Sequence, residues 1–153
     1  AYKAVDWKIL SLIFGMLAIS IAMDKVGLVK LLVESVMGWL PWAGPLLMLS
    51  LIYLLTSILT EMLSNNAVAV LVTPIAIGLA QHLGVDPRPF VVAVMFAASA
   101  SFATPIGYQT NTFVYNAGGY RFTDFMKVGI PLNLLLWVVA SFVIPWFFPL
   151  TPV

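Results

Sequence analysis

Cysteine is absent from this sequence, histidine occurs once, and only 8% of the residues carry charge. Without cysteine there is no disulfide, no thiolate metal site and no cysteine nucleophile. The lone histidine, His82, lies beside a loop, where it reads as a solvated surface residue. The apolar stretches contain no paired acids, so acid–base and metal chemistry lack their parts and an enzyme is not expected. A net charge of +1 leaves no footprint for nucleic acid. The scarcity of charge also excludes a soluble fold: an ordinary soluble domain has about 25% charged residues, and this chain has too little polar material to cover a water-facing surface.

What is present is apolar. Hydrophobic residues make up 62% of the chain, and mean hydropathy is +1.06. Charge-free runs cover residues 9–23, 35–60, 62–81, 89–120 and 128–153. Crossing a bilayer takes roughly 20 apolar residues as a helix. The runs are continuous and do not alternate with period two, which argues for helices rather than a barrel. The expected class is therefore an all-α integral membrane protein whose first partner is the lipid bilayer. Lys3 and Lys8 ahead of an apolar run imitate a signal peptide, but more membrane sequence follows. A chain beginning at Ala1 in this way is expected to be a fragment of a longer protein.

Along the chain, residues 4–23 make a first span, with Trp7 as an interface anchor. Residues 28–40, "LVKLLVESVMGWL", place Lys30 and Glu34 four apart on one helical face, as in an amphipathic interfacial helix. Residues 42–63 and 66–82 are two apolar limbs of roughly 33 and 25 Å if helical. Ser64 and Asn65 between them favour a turn and a helix cap. Length alone leaves open two full spans or one hairpin entering and leaving on the same side. "GVDPRP", residues 84–89, is a polar loop with two prolines. Residues 89–120 would measure roughly 48 Å as one straight helix, against a hydrocarbon core of about 30 Å. A break is expected at "TPIGYQTN", residues 104–111, where Pro105 removes a donor and Gly107 relaxes the backbone. Before it, Ala93, Ala97 and Ser101 form a small-residue face for close packing. "GGYRFTDFMK", residues 118–127, reads as a loop, and 128–148 as the final span, ending in an aromatic belt. With a one-sided hairpin, Lys3, Lys8, Arg121 and Lys127 face inside and Lys25, Lys30 and Arg88 outside, a weak positive-inside bias.

Two polar interruptions stand out in this apolar setting. One is Ser64-Asn65-Asn66, preceded by Glu61, the only charge between Glu34 and Asp86. The other runs from Thr104 to Thr112. Non-helical backbone at membrane depth survives only inside protein or around a wet cavity. Broken helices in secondary transporters serve that purpose, aiming helix N-termini at an anion and freed carbonyls at a sodium ion. The plainer alternatives are a surface turn, a structural kink, and a Glu61 that snorkels or caps backbone amides. The conjunction of two interruptions, both rich in amides and hydroxyls and without lysine or arginine nearby, favours a binding site of neutral donors.

"TEMLSNNAVAVLVTPIA", residues 60–76, resembles the Ser-Asn-Thr hairpin motif of the divalent anion:sodium symporter family, within the ion transporter superfamily. "AASASFATPIGYQTNTFVY" and "GGYRFTDFMKVGIPLN" resemble that family's unwound helix and following loop. The wording is similar to the branch whose permeases carry TrkA-C-type domains. The likeness covers nearly the whole chain and implies the C-terminal, inverted-repeat portion of a permease, with a re-entrant hairpin at 42–82 and a broken transmembrane helix at 89–118. It implies secondary active transport of a small anion, sulfate or a di- or tricarboxylate, with Na+ as the coupling ion and no other cofactor. By the family pattern, Ser64, Asn65, Asn66, Thr110 and Asn111 bind the anion, and Ser64, Asn65, Ala103, Thr104 and Gly107 frame the sodium. Two departures are visible: Asn66 stands where the motif has threonine, and "TPIGYQTN" replaces a Thr-Pro-Pro-Asn form. The expected partners are the missing N-terminal half and a second copy in a homodimer, in a bacterial inner membrane crossed several times. Rival readings are a cation/proton antiporter or metalloid-anion carrier of the same superfamily, for which Glu61 is the single candidate ionisable group, and a non-transporting membrane subunit.

Overall fold

The computed structural model describes residues 25–152 and, before them, residues 11, 14, 15, 18, 19 and 21–23. Most of the first expected span, 4–23, therefore lies outside the described residues. From residue 28 onward the chain forms six helices: α1 (Leu28–Trp39), α2 (Pro45–Thr60), α3 (Asn65–His82), α4 (Arg88–Ser99), α5 (Gln109–Gly118) and α6 (Phe122–Phe147). Among the described residues there is no strand, only one bridge between Val85 and Pro152 that ties the chain end to the α3–α4 loop.

Local chemistry explains the boundaries. Pro45 opens α2 and Pro89 lies in the first turn of α4, where a missing N–H costs nothing. The Ser64 hydroxyl caps α3 by accepting from the Ala67 N–H at 3.4 Å. At α6 the Asp124 carboxylate accepts the Arg121 N–H at 2.9 Å, closing the first turn. This cap moves the start of the last helix to Phe122, six residues before the expected 128, so Asp124 and Lys127 stand on its opening turns rather than in a loop. The two pair side by side at 3.8 Å.

The core sits where α2, α3 and α4 meet. Met48, Leu49, Ile52 and Tyr53 of α2 pack with Val68, Val72, Ala76 and Leu79 of α3 and with Phe90, Ala93, Val94 and Ala97 of α4. The α3 residues recur at helical spacing, and Ala93 and Ala97 let α4 approach α2 closely. Burial of these side chains stabilises the trio by about 25 cal/mol for each Å² removed from solvent. On α1, Val29 and Val33 turn inward, Val29 against Gly78 of α3, while Lys30 and Glu34 stay exposed and paired at 3.8 Å.

α6 is the one described helix long and apolar enough to cross a membrane. It meets the core along one stripe at fourfold spacing: Gly129, Asn133, Trp137 and Ser141. The Trp137 indole donates to the Ser50 carbonyl and hydroxyl of α2, both at 3.0 Å, and Ser141 donates to the Ser50 hydroxyl at 3.1 Å. Its remaining faces expose Val128, Leu135, Phe142 and Trp146. So large an apolar surface requires lipid or further protein over it.

Candidate functional site

Between α4 and α5 the chain leaves the helix at Ala100 and does not resume until Gln109. The non-helical stretch is thus longer than the expected break and begins four residues before Thr104. Its backbone is held from outside. The Glu61 carboxylate, just past the end of α2, accepts three consecutive N–H groups: Phe102 and Ala103 on Oε1, each at 2.9 Å, and Thr104 on Oε2 at 2.7 Å. A fourth donor, the Asn133 amide of α6, reaches Oε1 at 2.7 Å. Successive N–H groups converging on one anion form a nest, a fixed concentration of positive dipole. The anion in this nest is part of the protein. Glu61 is 9% exposed and has no cationic partner among the described residues; four donors, three on Oε1 and one on Oε2, take the place of a counter-charge.

More bonds join the same two segments. The Thr104 hydroxyl donates to the Glu61 carbonyl at 2.8 Å and accepts the Gly107 N–H at 3.2 Å. Ser101 donates to the Thr60 carbonyl at 3.2 Å. The Thr60 hydroxyl, with one proton, lies 2.7 Å from the Ala98 carbonyl and 2.8 Å from Asn65 Oδ1. From α5, the Asn111 amide donates to the Ser101 and Thr104 carbonyls at 2.9 and 3.2 Å, and the Thr112 hydroxyl to that of Pro105 at 2.7 Å. Two glycines allow the fit. A Cβ at Gly107 would strike Ser101 Oγ and come within 2.7 Å of the Thr60 carbonyl, and a Cβ at Gly129 would strike the backbone of Phe102 and Ala103.

Of the residues expected to form the site, Asn65, Ala103, Thr104, Gly107 and Asn111 belong to this interlocked cluster. Ser64 turns its hydroxyl to its own helix, and no hydrogen bond ties the Asn66 or Thr110 side chain to the break among the described residues; both are exposed. Sequence reasoning missed Thr60, Ser101 and Asn133 as parts of the site, and counted Thr112 in the polar interruption without giving it a role. Asn133 left a signal: it is the one amide in the apolar run 128–153. For Glu61, the amide-capping alternative describes the geometry.

All-helical from residue 28 onward, with a lipid-compatible surface and two interlocked polar interruptions, the described residues have the make-up of a helical membrane protein. The profile of the citrate transporter family matches residues 1–94 and 68–153, and the chain belongs to that family. It is 40% identical over 149 residues to the uncharacterized transporter YfbS of Escherichia coli (strain K12), covering 97% of this chain and 24% of that protein. To the uncharacterized transporter sll0640 of Synechocystis sp. it is 41% identical over 151 residues, 99% of this chain and 25% of the relative. Sodium/sulfate cotransporter 1 of Chlamydomonas reinhardtii is 34% identical over 143 residues, 93% of this chain and 16% of that protein. The chain thus spans a quarter or less of the length of these relatives. Membership of a transporter family makes it part of a membrane protein.

Proposed function

We propose that this chain forms the ion- and anion-binding portion of a sodium-coupled secondary carrier for a small anion, sulfate or a di- or tricarboxylate. The observation that carries the reading is the meeting of the two polar interruptions: the α2–α3 turn and the segment 100–108 share hydrogen bonds through Thr60, Glu61, Ser101 and Thr104. A pair of discontinuous helices joined in this way suits a site near the bilayer midplane, with α2 and α3 as a re-entrant hairpin and α4 and α5 as halves of one broken span. The exposed amides and hydroxyls of Ser64, Asn66 and Thr110, at the N-termini of α3 and α5, suit a small anion, because helix N-termini carry unpaired N–H groups and positive dipole. Oxygens of Asn65, Ala103, Thr104 and Gly107 suit a hard monovalent cation. The naming of a relative as a sodium/sulfate cotransporter supports both choices. The remaining elements of the proposal are an N-terminal half outside this chain, a homodimer, elevator-type motion and a bacterial inner membrane.

A proton-coupled rival has Glu61 as its single candidate ionisable group, and that carboxylate is engaged in holding residues 102–104 and Asn133. The test is uptake of sulfate and of a dicarboxylate by the full-length protein in vesicles, across a sodium series. Asn65→Ala, which takes an amide from both the anion and its sodium frame, should lower anion affinity by roughly 5- to 150-fold, the cost of unpairing a desolvated polar site. Thr104→Ala should weaken sodium dependence first. Unchanged uptake in both variants at normal expression would reduce the two interruptions to a turn and a kink.

A further inference from the structure

Each peptide unit is planar and trans, so its N–H and its C=O point in opposite directions. With the N–H groups of Phe102, Ala103 and Thr104 all drawn to Glu61, the carbonyls of Ser101, Phe102 and Ala103 must turn away from it. Two of the three meet a neighbour: Ser101 O accepts from Asn111, and Phe102 O faces the Gly129 backbone of α6. The third, Ala103 O, accepts no hydrogen bond from the described residues. A carbonyl without a donor, in a residue only 8% exposed, is the kind of oxygen that a cation completes.

We propose that Glu61 is the positioning residue of the cation site: by gathering the N–H groups of residues 102–104 it turns the Ala103 carbonyl outward as a ligand for a monovalent cation. The inference rests on the sodium-coupled reading above. Asn133 is the second part of the device. Its amide holds the carboxylate from α6, and its own Oδ1 is buried without a partner. Glu61→Gln is therefore a selective change. The glutamine oxygen, standing where Oε1 stands, can still accept from Phe102, Ala103 and Asn133. Toward Thr104, however, an N–H would face an N–H, and the peptide unit carrying Ala103 O would lose its orientation. The negative charge behind the site goes as well.

The experiment is uptake of labelled sulfate by the full-length protein in vesicles, with sodium varied at fixed anion and anion varied at saturating sodium. Glu61→Gln should raise the sodium half-saturation about tenfold or more, the range for a lost hydrogen bond to a charged group, while the anion KM at saturating sodium stays within about twofold. Asn133→Ala should move the sodium half-saturation in the same direction by about threefold and is the readout if Glu61→Gln does not fold. Ser141→Ala, on the same stripe of α6 but bonded to Ser50, should leave both values unchanged. A wild type whose uptake ignores sodium overturns the sodium-coupled reading and this inference with it. A sodium-dependent wild type whose half-saturation is unmoved in Glu61→Gln, or in Asn133→Ala where that is the readout, overturns the inference alone. Equal loss for sodium and anion in these variants makes Glu61 merely structural and overturns it too.

Discussion

Between α2 and α3 the chain reverses in four residues, Glu61–Ser64; between α4 and α5 it stays out of helix for nine, Ala100–Tyr108. The short turn is closed by its own neighbours. Glu61, Met62 and Leu63 donate back to the Ile58 and Leu59 carbonyls, and Ser64 caps the helix that follows. The long interruption has only Gly107 N–H to Thr104 Oγ1 within itself. Apart from Ala100 N–H, which donates to Ala97 O of the preceding helix, its other bonds join it to Glu61, Asn111, Thr112 and the Thr60 carbonyl. A self-sufficient turn can form early and tolerate change, whereas a segment satisfied from three other elements exists only once they have assembled.

Mutations on the two sides sharpen this contrast. Glu61→Ala should have the largest effect, because one buried and two part-buried N–H groups lose their acceptor, at up to about 1–3 kcal/mol each before relaxation. Thermal unfolding of the purified full-length protein in detergent should show a large loss of stability. Gly129→Ala comes next, at about 1–3 kcal/mol, since its Cβ would meet the rigid backbone of Phe102 and Ala103 rather than a yielding side chain. The same assay checks it, and a neutral result would remove α6 from the support of the break. Asn111→Ala, which frees two carbonyls of a half-buried segment, should cost about 1–2 kcal/mol. Ser64→Ala should cost least, about 0.5 kcal/mol, because its cap bond is long and exposed. If Ser64→Ala destabilised the protein as much as Glu61→Ala, the proposed difference between the interruptions would collapse.

The membrane-compatible helical class was legible from charge scarcity and run length, and the turn at 64 from Ser-Asn-Asn. The interruption before α5 was legible from excess length, with Pro105 and Gly107 as markers. Its start was not, because Ala100, Ser101, Phe102 and Ala103 carry no local signal against helix. They leave it where Glu61 captures their N–H groups. The start of α6 was misplaced for the opposite reason: charged Arg121, Asp124 and Lys127 read as a loop, yet Asp124 serves as the cap that begins the helix.

The sequence by itself determined that this protein is helical and lipid-compatible, where its short turn falls, and that two polar islands interrupt its apolar runs, because hydrophobicity and capping act over a few residues. The tertiary structure alone decided that the islands meet. Glu61 and the segment it holds lie some 40 positions apart, and Asn133 stands 72 positions beyond Glu61. Nothing local specifies such pairings. They are selected when apolar helices close-pack and every buried N–H must find an acceptor, a condition that only the assembled fold can meet.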